Sequence, residues 1–129
     1  MRKILFRGKR DKRYSKSQDW VYGVPFTDSD GYCIMKNKFA ERVVECETVG
    51  QFTGLTDKKD NMIFEGDILS ANLDDLFPDN ETRLVVEWHD NGWYGKNGNM
   101  YDDFLNEFNK MFEVIGNIHD NPELIIKEN

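Results

Sequence analysis

Val49 to Leu69 reads VGQFTGLTDKKDNMIFEGDIL, and its punctuation decides the fold class. Gly50 and Gly54 bracket Phe52. Asp57 to Asn61 makes a polar turn, Met62-Ile63-Phe64 is a short apolar run, and Glu65-Gly66-Asp67 launches Ile68-Leu69-Ser70-Ala71. A Gly-Asp step opening an apolar strand suits a small barrel that bends sharply. Glycine tolerates the backbone angles of such a bend, and aspartate bonds nearby amides. A second punctuated segment, Phe112 to Ile125 (FEVIGNIHDNPELI), closes the pattern. Neither segment carries a nucleophile, a phosphate loop or a metal cluster.

Outward from this stretch the chain reads as strands. Lys3 to Arg7 is a short first strand, and Asp19 to Thr27 (DWVYGVPFT) a second, rich in aromatic and β-branched residues. Gly23 within it marks a bulge or a close backbone approach, and Pro25 an edge or strand end. Asp28-Ser29-Asp30-Gly31 is a turn, after which Tyr32 to Met35 pairs back as a hairpin. Lys36 to Arg42 is a loop or one helical turn, and Val43 to Val49 a further strand. Asn72 to Glu81 is an acidic surface loop. Thr82 to His89 is the clearest strand, with Leu84, Val86 and Trp88 on one face. Asn91-Gly92 signals a hairpin turn to Trp93-Tyr94, and another Asn-Gly turn follows within Lys96 to Asn99. Asp102 to Lys110 is predicted as the one helix, capped by Asp102 or Asp103, with Phe104, Leu105 and Phe108 on one face. Phe112 to His119 is a last strand, and Asn121-Pro122-Glu123-Leu124 a capped turn.

At 129 residues the chain is one ordinary domain or a small domain with an appendage. Its apolar share of 39% is low, so nine Phe, five Tyr and three Trp must supply much of the core. That suggests a thin core, such as a small barrel, or one completed by another subunit. No apolar run approaches the roughly 18 residues of a membrane span, and the basic start lacks the apolar region of a signal peptide. Cys33 and Cys46 form no CxxC pair and are expected to be free thiols in a reducing cytoplasm, that of a bacterial host cell. Charge is uneven. Residues 1–16 hold eight basic groups and one acid, and the rest hold nine basic and twenty-three acidic groups. The acidic body disfavours broad wrapping by phosphate backbones, so the basic start is read as pairing with acidic protein surface of its own or a neighbouring subunit.

Taken in order, Ile4-Leu5-Phe6-Arg7-Gly8-Lys9, Trp20-Val21-Tyr22-Gly23, Val49-Gly50-Gln51-Phe52-Thr53-Gly54-Leu55, Asp57-Lys58, Ile63-Phe64-Glu65-Gly66-Asp67-Ile68, Val85-Val86-Glu87-Trp88, Glu113-Val114-Ile115-Gly116-Asn117-Ile118 and Asn121-Pro122-Glu123-Leu124 resemble the YopX-like family across essentially the whole chain. Two departures stand out. Lys59-Asp60 stands where the family often has Asn-Gly, and His119 where it often has an aromatic residue, so His119 is not an obligatory ligand. The resemblance implies a β-rich fold with a barrel-like portion, a phage or prophage origin and self-association. It implies no activity.

The chemistry-bearing residues favour structural readings. His89-Asp90 and His119-Asp120 could form metal or acid–base couples, but each sits where aspartate starts a turn. Asp74, Asp75, Asp79 and Glu81 could hold a divalent cation, and a metal-dependent hydrolase would be built on Asp74, Asp75, His89 and Asp90, yet the acids crowd one polar loop with no lysine or histidine beside them. Gly50, Gly54 and Gly66 lack the Lys-Ser/Thr of a phosphate cradle. Trp20, Tyr22, Trp88, Trp93 and Tyr94 could stack bases, though packing is the preferred role. The expectation is therefore a mainly β protein with an N-terminal β-hairpin region at 1–56, a small SH3-like barrel at 57–129 and one short late helix near 102–110. The two regions could form one compact unit. Functionally it is expected to be a non-enzymatic phage or prophage accessory protein, a homo-oligomeric interaction module for an unidentified phage or host protein. No cofactor, metal, catalytic residue or membrane is assigned. The alternative is nucleic-acid binding, and the contact residues for nucleic acid or a partner are Arg2, Lys3, Arg7, Lys9, Arg10, Lys12, Arg13, Trp20 and Tyr22. A metal-dependent hydrolase ranks below both.

Overall fold

The computed structural model describes residues 4–125. The protein is mainly β, with eleven strands among the described residues in two antiparallel sheets. The chain divides into two compact units, Met1–Phe52 and Thr53–Asn129, and the division falls inside one strand.

The first unit contains β1 (Phe6–Lys9), β2 (Trp20–Thr27), β3 (Cys33–Lys36), β4 (Glu41–Val44) and the start of β5 (Gly50–Thr56), in the sheet order β4-β3-β2-β1-β5. The β2–β3 turn forms as its sequence requires. Asp28 Oδ1 accepts the N–H groups of Asp30 (3.0 Å) and Tyr32 (2.9 Å), and Gly31 takes φ +88°. Asn37 plays the same part between β3 and β4, its Oδ1 accepting from Phe39 and Ala40. Gly23 marks a close approach: a Cβ there would lie 2.3 Å from the Lys36 carbonyl oxygen. Beyond β1 the backbone turns to meet β4. Arg10 bridges Val44, Asp11 N–H donates to Val43 O, and Glu45 N–H donates to Lys9 O. Met35 and Val44 are buried inside this ring of pairings, close against Gly8.

Two expectations are corrected here. The strand expected over Val43 to Val49 ends at Val44, and Cys46–Thr48 is a 3-10 helix. Thr48 Oγ1 donates to Glu45 O and accepts Lys9 N–H, which favours the tight turn over extension. The cysteines are not free thiols. Cys33 and Cys46 form a disulfide with Cα atoms 5.4 Å apart, because the curl after β4 carries Cys46 back to the start of β3.

The second unit holds the rest of β5, β6 (Met62–Phe64), β7 (Asp67–Ala71), β8 (Thr82–His89), β9 (Gly92–Asn97), β10 (Met100–Asp103) and β11 (Glu113–Asn117). β6 pairs with β5, and the remaining strands form a five-stranded sheet ordered β10-β9-β8-β7-β11. Ile63, Leu69, Ala71, Leu84, Val86 and Phe112 form the buried core, backed by Leu55, Trp93, Phe104, Phe108 and Val114. Gly95 lets β9 lie on this core, since a Cβ there would meet Leu84 Cδ1 at 2.6 Å. The β8–β9 turn sits one residue earlier than Asn91-Gly92 suggests. His89 pairs with Gly92, so Asp90 and Asn91 form the loop and Asp90 takes the positive φ.

A short late helix is present, but not as an α-helix capped by Asp102 or Asp103. Those residues end β10, and Leu105–Met111 forms 3-10 turns interrupted by Asn106 and Glu107 at φ 55° and 60°. Two consecutive left-handed residues break the i to i−4 ladder. Asn109 Nδ2 then donates to Thr56 O at 2.7 Å, while Phe108 packs edge-on to Phe112. β11 carries a register shift between Val114 and Gly116, which leaves Ile115 exposed. Among the described residues no helix is long and apolar enough to cross a membrane.

Candidate functional site

Among the described residues three carboxylates are buried, and each is held by nearby hydrogen-bond donors. Asp57 is fully buried. Its Oδ1 accepts the N–H groups of Lys59 (2.9 Å) and Asn61 (2.8 Å), and its Oδ2 accepts Asn61 Nδ2 (3.1 Å) and Val114 N–H (2.9 Å). Burial, the largest influence, works against the charged form. The donors from Val114, Asn61 and Lys59 outweigh it, and the carboxyl sits below its ordinary value of 3.8. Asp67 is likewise buried and accepts Phe64 N–H at 2.7 Å beneath the Gly66 turn. Asp11 receives the Arg13 side chain at 3.0 and 2.6 Å and the Arg13 N–H at 2.9 Å; those side-chain bonds, then the backbone bond, lower it to about 2. All three act as turn anchors.

The histidine pairs separate in space and role. His89 stacks on Tyr101, with ring centroids 4.5 Å apart and planes 9° from parallel, and its Nε2 lies 3.5 Å from Asp90 Oδ2. At the other pair, Asn117 Oδ1 accepts the N–H groups of His119 and Asp120, so this dipeptide is part of a turn. In the acidic loop, Asp74 Oδ1 accepts from Leu76 and Phe77, and Glu81 is held by both Arg83 and Ser70. Among the described residues no group of three or more His, Cys, Asp or Glu is placed to hold a metal ion.

The expected contact residues take different positions. Arg2 and Lys3 lie outside the described residues. Strand register puts Arg7 beside Tyr22 and Lys9 beside Trp20, so these four share one face of the β1–β2 pair. Arg7 is buried, with its guanidinium carbon 4.5 Å from the Trp20 ring centroid. Arg10 is half-buried in the bridge to Val44. Lys12 and Arg13 are exposed, and Arg13 is paired with Asp11.

A concave surface lies elsewhere, on the outer face of the second unit's sheet. A groove of about 600 Å³ is floored by Val85 and bounded by Arg83, Glu87, Lys96, Ile118 and Leu124. Arg83 shapes it, forking onto Glu81 at 3.0 Å through both Nε and Nη2 while Nη1 donates to Leu124 O at 2.7 Å. The Arg83 bond, then the Ser70 bond, lowers Glu81. Along the same face stand Tyr94, His89 and Tyr101, with Lys96 Nζ 5.7 Å from the Tyr101 ring centroid. Sequence reasoning singled out the apolar face of β8 and missed this one. Its signal was the complementary alternation Arg83, Val85, Glu87, His89 on the same strand.

The family model described as YopX protein matches residues 6–126. The crystal structure of protein EF1440 from Enterococcus faecalis is similar in fold, with a TM-score of 0.62 at 20% identity, covering 98% of this chain and 100% of that one. No curated protein matches. With the match running from β1 through the turn after β11, the chain belongs to the YopX protein family.

Proposed function

We propose that this protein is a non-enzymatic phage or prophage accessory protein that works as a self-associating interaction module. The observation that carries this reading is the set of large apolar side chains left on its surface: Val24, Phe26, Phe39, Leu76, Phe77 and Trp88 are each at least 43% exposed. Apolar area of that kind marks interaction surfaces when it is contiguous. The buried acids support the reading, because Asp11 and Asp57 are engaged by donors of their own turns and of β11, and Asp67 by Phe64 N–H. The second unit's strand order, with a 3-10 helix between β10 and β11, is consistent with an SH3-like small barrel, a scaffold for binding. The Cys33–Cys46 bridge removes the free-thiol argument for a cytoplasmic setting. Light scattering across a concentration series tests the reading. The expected result is a mass above the 15.2 kDa protomer, and a monomer at every concentration overturns it.

Nucleic-acid binding is a second reading, favoured by Lys9 and Tyr22 on one face of the β1–β2 pair, where buried Arg7 packs against the Trp20 ring. Its test is a salt titration against single-stranded and duplex DNA. Phosphate contacts give a steep negative slope of log affinity on log salt, and no binding at low salt removes the reading.

A further inference from the structure

The two units carry opposite charge. Residues 1–52 hold eleven basic and seven acidic groups, whereas residues 53–129 hold six basic and seventeen acidic groups. Each unit also displays exposed apolar side chains beside charged ones.

In the first unit, Tyr22, Val24 and Phe26 alternate onto one face of β2 and are 44%, 57% and 43% exposed. Lys36 stands opposite Val24 on β3. The β3–β4 turn brings Phe39, 85% exposed, to the same end of the sheet, where Asn37 Nδ2 donates to Tyr22 O. Lys38 Nζ lies 5.2 Å from the Phe39 ring centroid. The result is an apolar stripe with Lys36 across from its middle and Lys38 at the β3–β4 turn; Lys36 Nζ lies 3.9 Å from Glu41 Oε1, an exposed pair that leaves the ammonium open to a second carboxylate.

In the second unit, the loop between β7 and β8 holds Leu76 and Phe77 outward, 84% and 61% exposed. The loop is pre-shaped: Asp74 Oδ1 fixes the Leu76 and Phe77 N–H groups at 2.9 and 3.2 Å, and Asn80 N–H returns to Phe77 O. Around the pair stand Asp74, Asp75, Asp79 and Glu81, with no basic residue between Leu73 and Glu81. A turn already closed by its own hydrogen bonds loses less conformational freedom on docking than a free loop.

We propose that the Leu76-Phe77 turn of one copy seats on the Tyr22-Val24-Phe26 stripe of a second copy, with its acidic flank facing Lys36 and Lys38. This rests on the self-association reading above and names its surfaces. The two surfaces differ, so the contact is head-to-tail. Every dimer keeps one free turn and one free stripe, and assembly continues to a closed ring or an open chain.

Complementary variants of the full chain test this. One carries Val24→Asp and Phe26→Asp, the other Leu76→Ser and Phe77→Ser. All four side chains are exposed, and circular dichroism checks that each variant folds. By light scattering each variant alone is expected at the protomer mass, and an equimolar mixture at twice that mass and no higher. If the stripe variant fails to fold, Lys36→Glu with Lys38→Glu replaces it, and Asp75→Lys with Asp79→Lys on the other copy is expected to restore pairing. Wild-type assembly persisting in either variant, or a mixture that stays at protomer mass, overturns this contact and leaves self-association standing. A wild-type monomer at every concentration overturns both.

Discussion

The Asp57 carboxylate and the backbone N–H of Val114 meet at 2.9 Å across a separation of 57 residues. This bond ties the Asp57–Asn61 turn to β11, and Lys58 N–H bonding Phe112 O at 2.9 Å runs beside it. The turn and the strand are each local in sequence, and one buried side chain fixes their mutual placement.

Replacing Asp57 with Ala therefore removes an acceptor from four donors inside the second unit. Buried donors stripped of a charged acceptor cost about 1–3 kcal/mol each at most, and partial relaxation keeps the total below the sum. The expected loss is about 3 kcal/mol in urea unfolding. Lys59→Ala, which removes only the ion pair to Glu113 at 2.8 Å on the surface, is expected to cost about 0.5 kcal/mol.

Acid sensitivity follows from the same carboxylates. Asp57 and Asp11 both have folded values below their ordinary 3.8, Asp11 at about 2. A lowered folded value means that the unfolded chain binds the proton first. Each group's contribution is complete above pH 3.8 and is lost as pH falls through the folded value. Urea midpoints are expected to be level from neutral pH to about 4 and to drop between pH 3.8 and about 2. Asp11→Asn should flatten part of that drop, and a wild-type midpoint unchanged down to pH 2 contradicts the assignment.

Two glycines make a matched pair of tests. At Gly23 a methyl group would sit 2.3 Å from the Lys36 carbonyl oxygen and 2.8 Å from its carbonyl carbon, so β2 and β3 must separate. At Gly31 the same methyl group meets nothing within 4 Å, and only the φ of +88° opposes it. Gly31→Ala is expected to cost about 1 kcal/mol through backbone strain alone. Gly23→Ala should cost clearly more and should weaken amide exchange protection on both strands. Equal costs would show that the backbone approach is not close.

Legibility tracked how local each determinant is. Leu84 and Val86 were readable as core from alternation alone, and both are fully buried, while Trp88 on the same face is exposed because it lies at the strand's end. Gly23 signalled a close approach, and Asp28 and Asp57 signalled turns, because those roles are played on residues of the same turn or hairpin, while the bond from Asp57 to Val114 was not legible. The misses are non-local or conformational. Nothing in a thirteen-residue spacing tells that the chain curls after Val44 and brings Cys46 to Cys33. The apolar pattern of Phe104, Leu105 and Phe108 suits an α-helix, and left-handed Asn106 and Glu107 override it. The outer groove stayed hidden because it needs β8, β9 and the turn after β11 together. Arg83 joins them only through the Leu124 carbonyl, 41 residues away.

The disulfide gives the last prediction. It closes a loop of thirteen residues within the first unit, and cross-links of that size stabilise by about 3 kcal/mol through restriction of the unfolded chain. Strand β4 loses more than an entropic tether when the bond opens, because Cys46 begins the 3-10 helix whose Thr48 accepts Lys9 N–H. Cys33→Ser with Cys46→Ser, or the wild type under a strong thiol reductant, is therefore expected to lower the first unit's stability by about 3–5 kcal/mol. Amide exchange of Lys9, Glu45 and Thr48 should rise. Protection at Leu69, Leu84 and Val86 should hold, since those residues belong to a separate core. Equal loosening of both sets would mean that the two units unfold as one. An unchanged first unit would mean that the Arg10–Val44 bridge, and not the sulfur link, holds β4 against the end of β1.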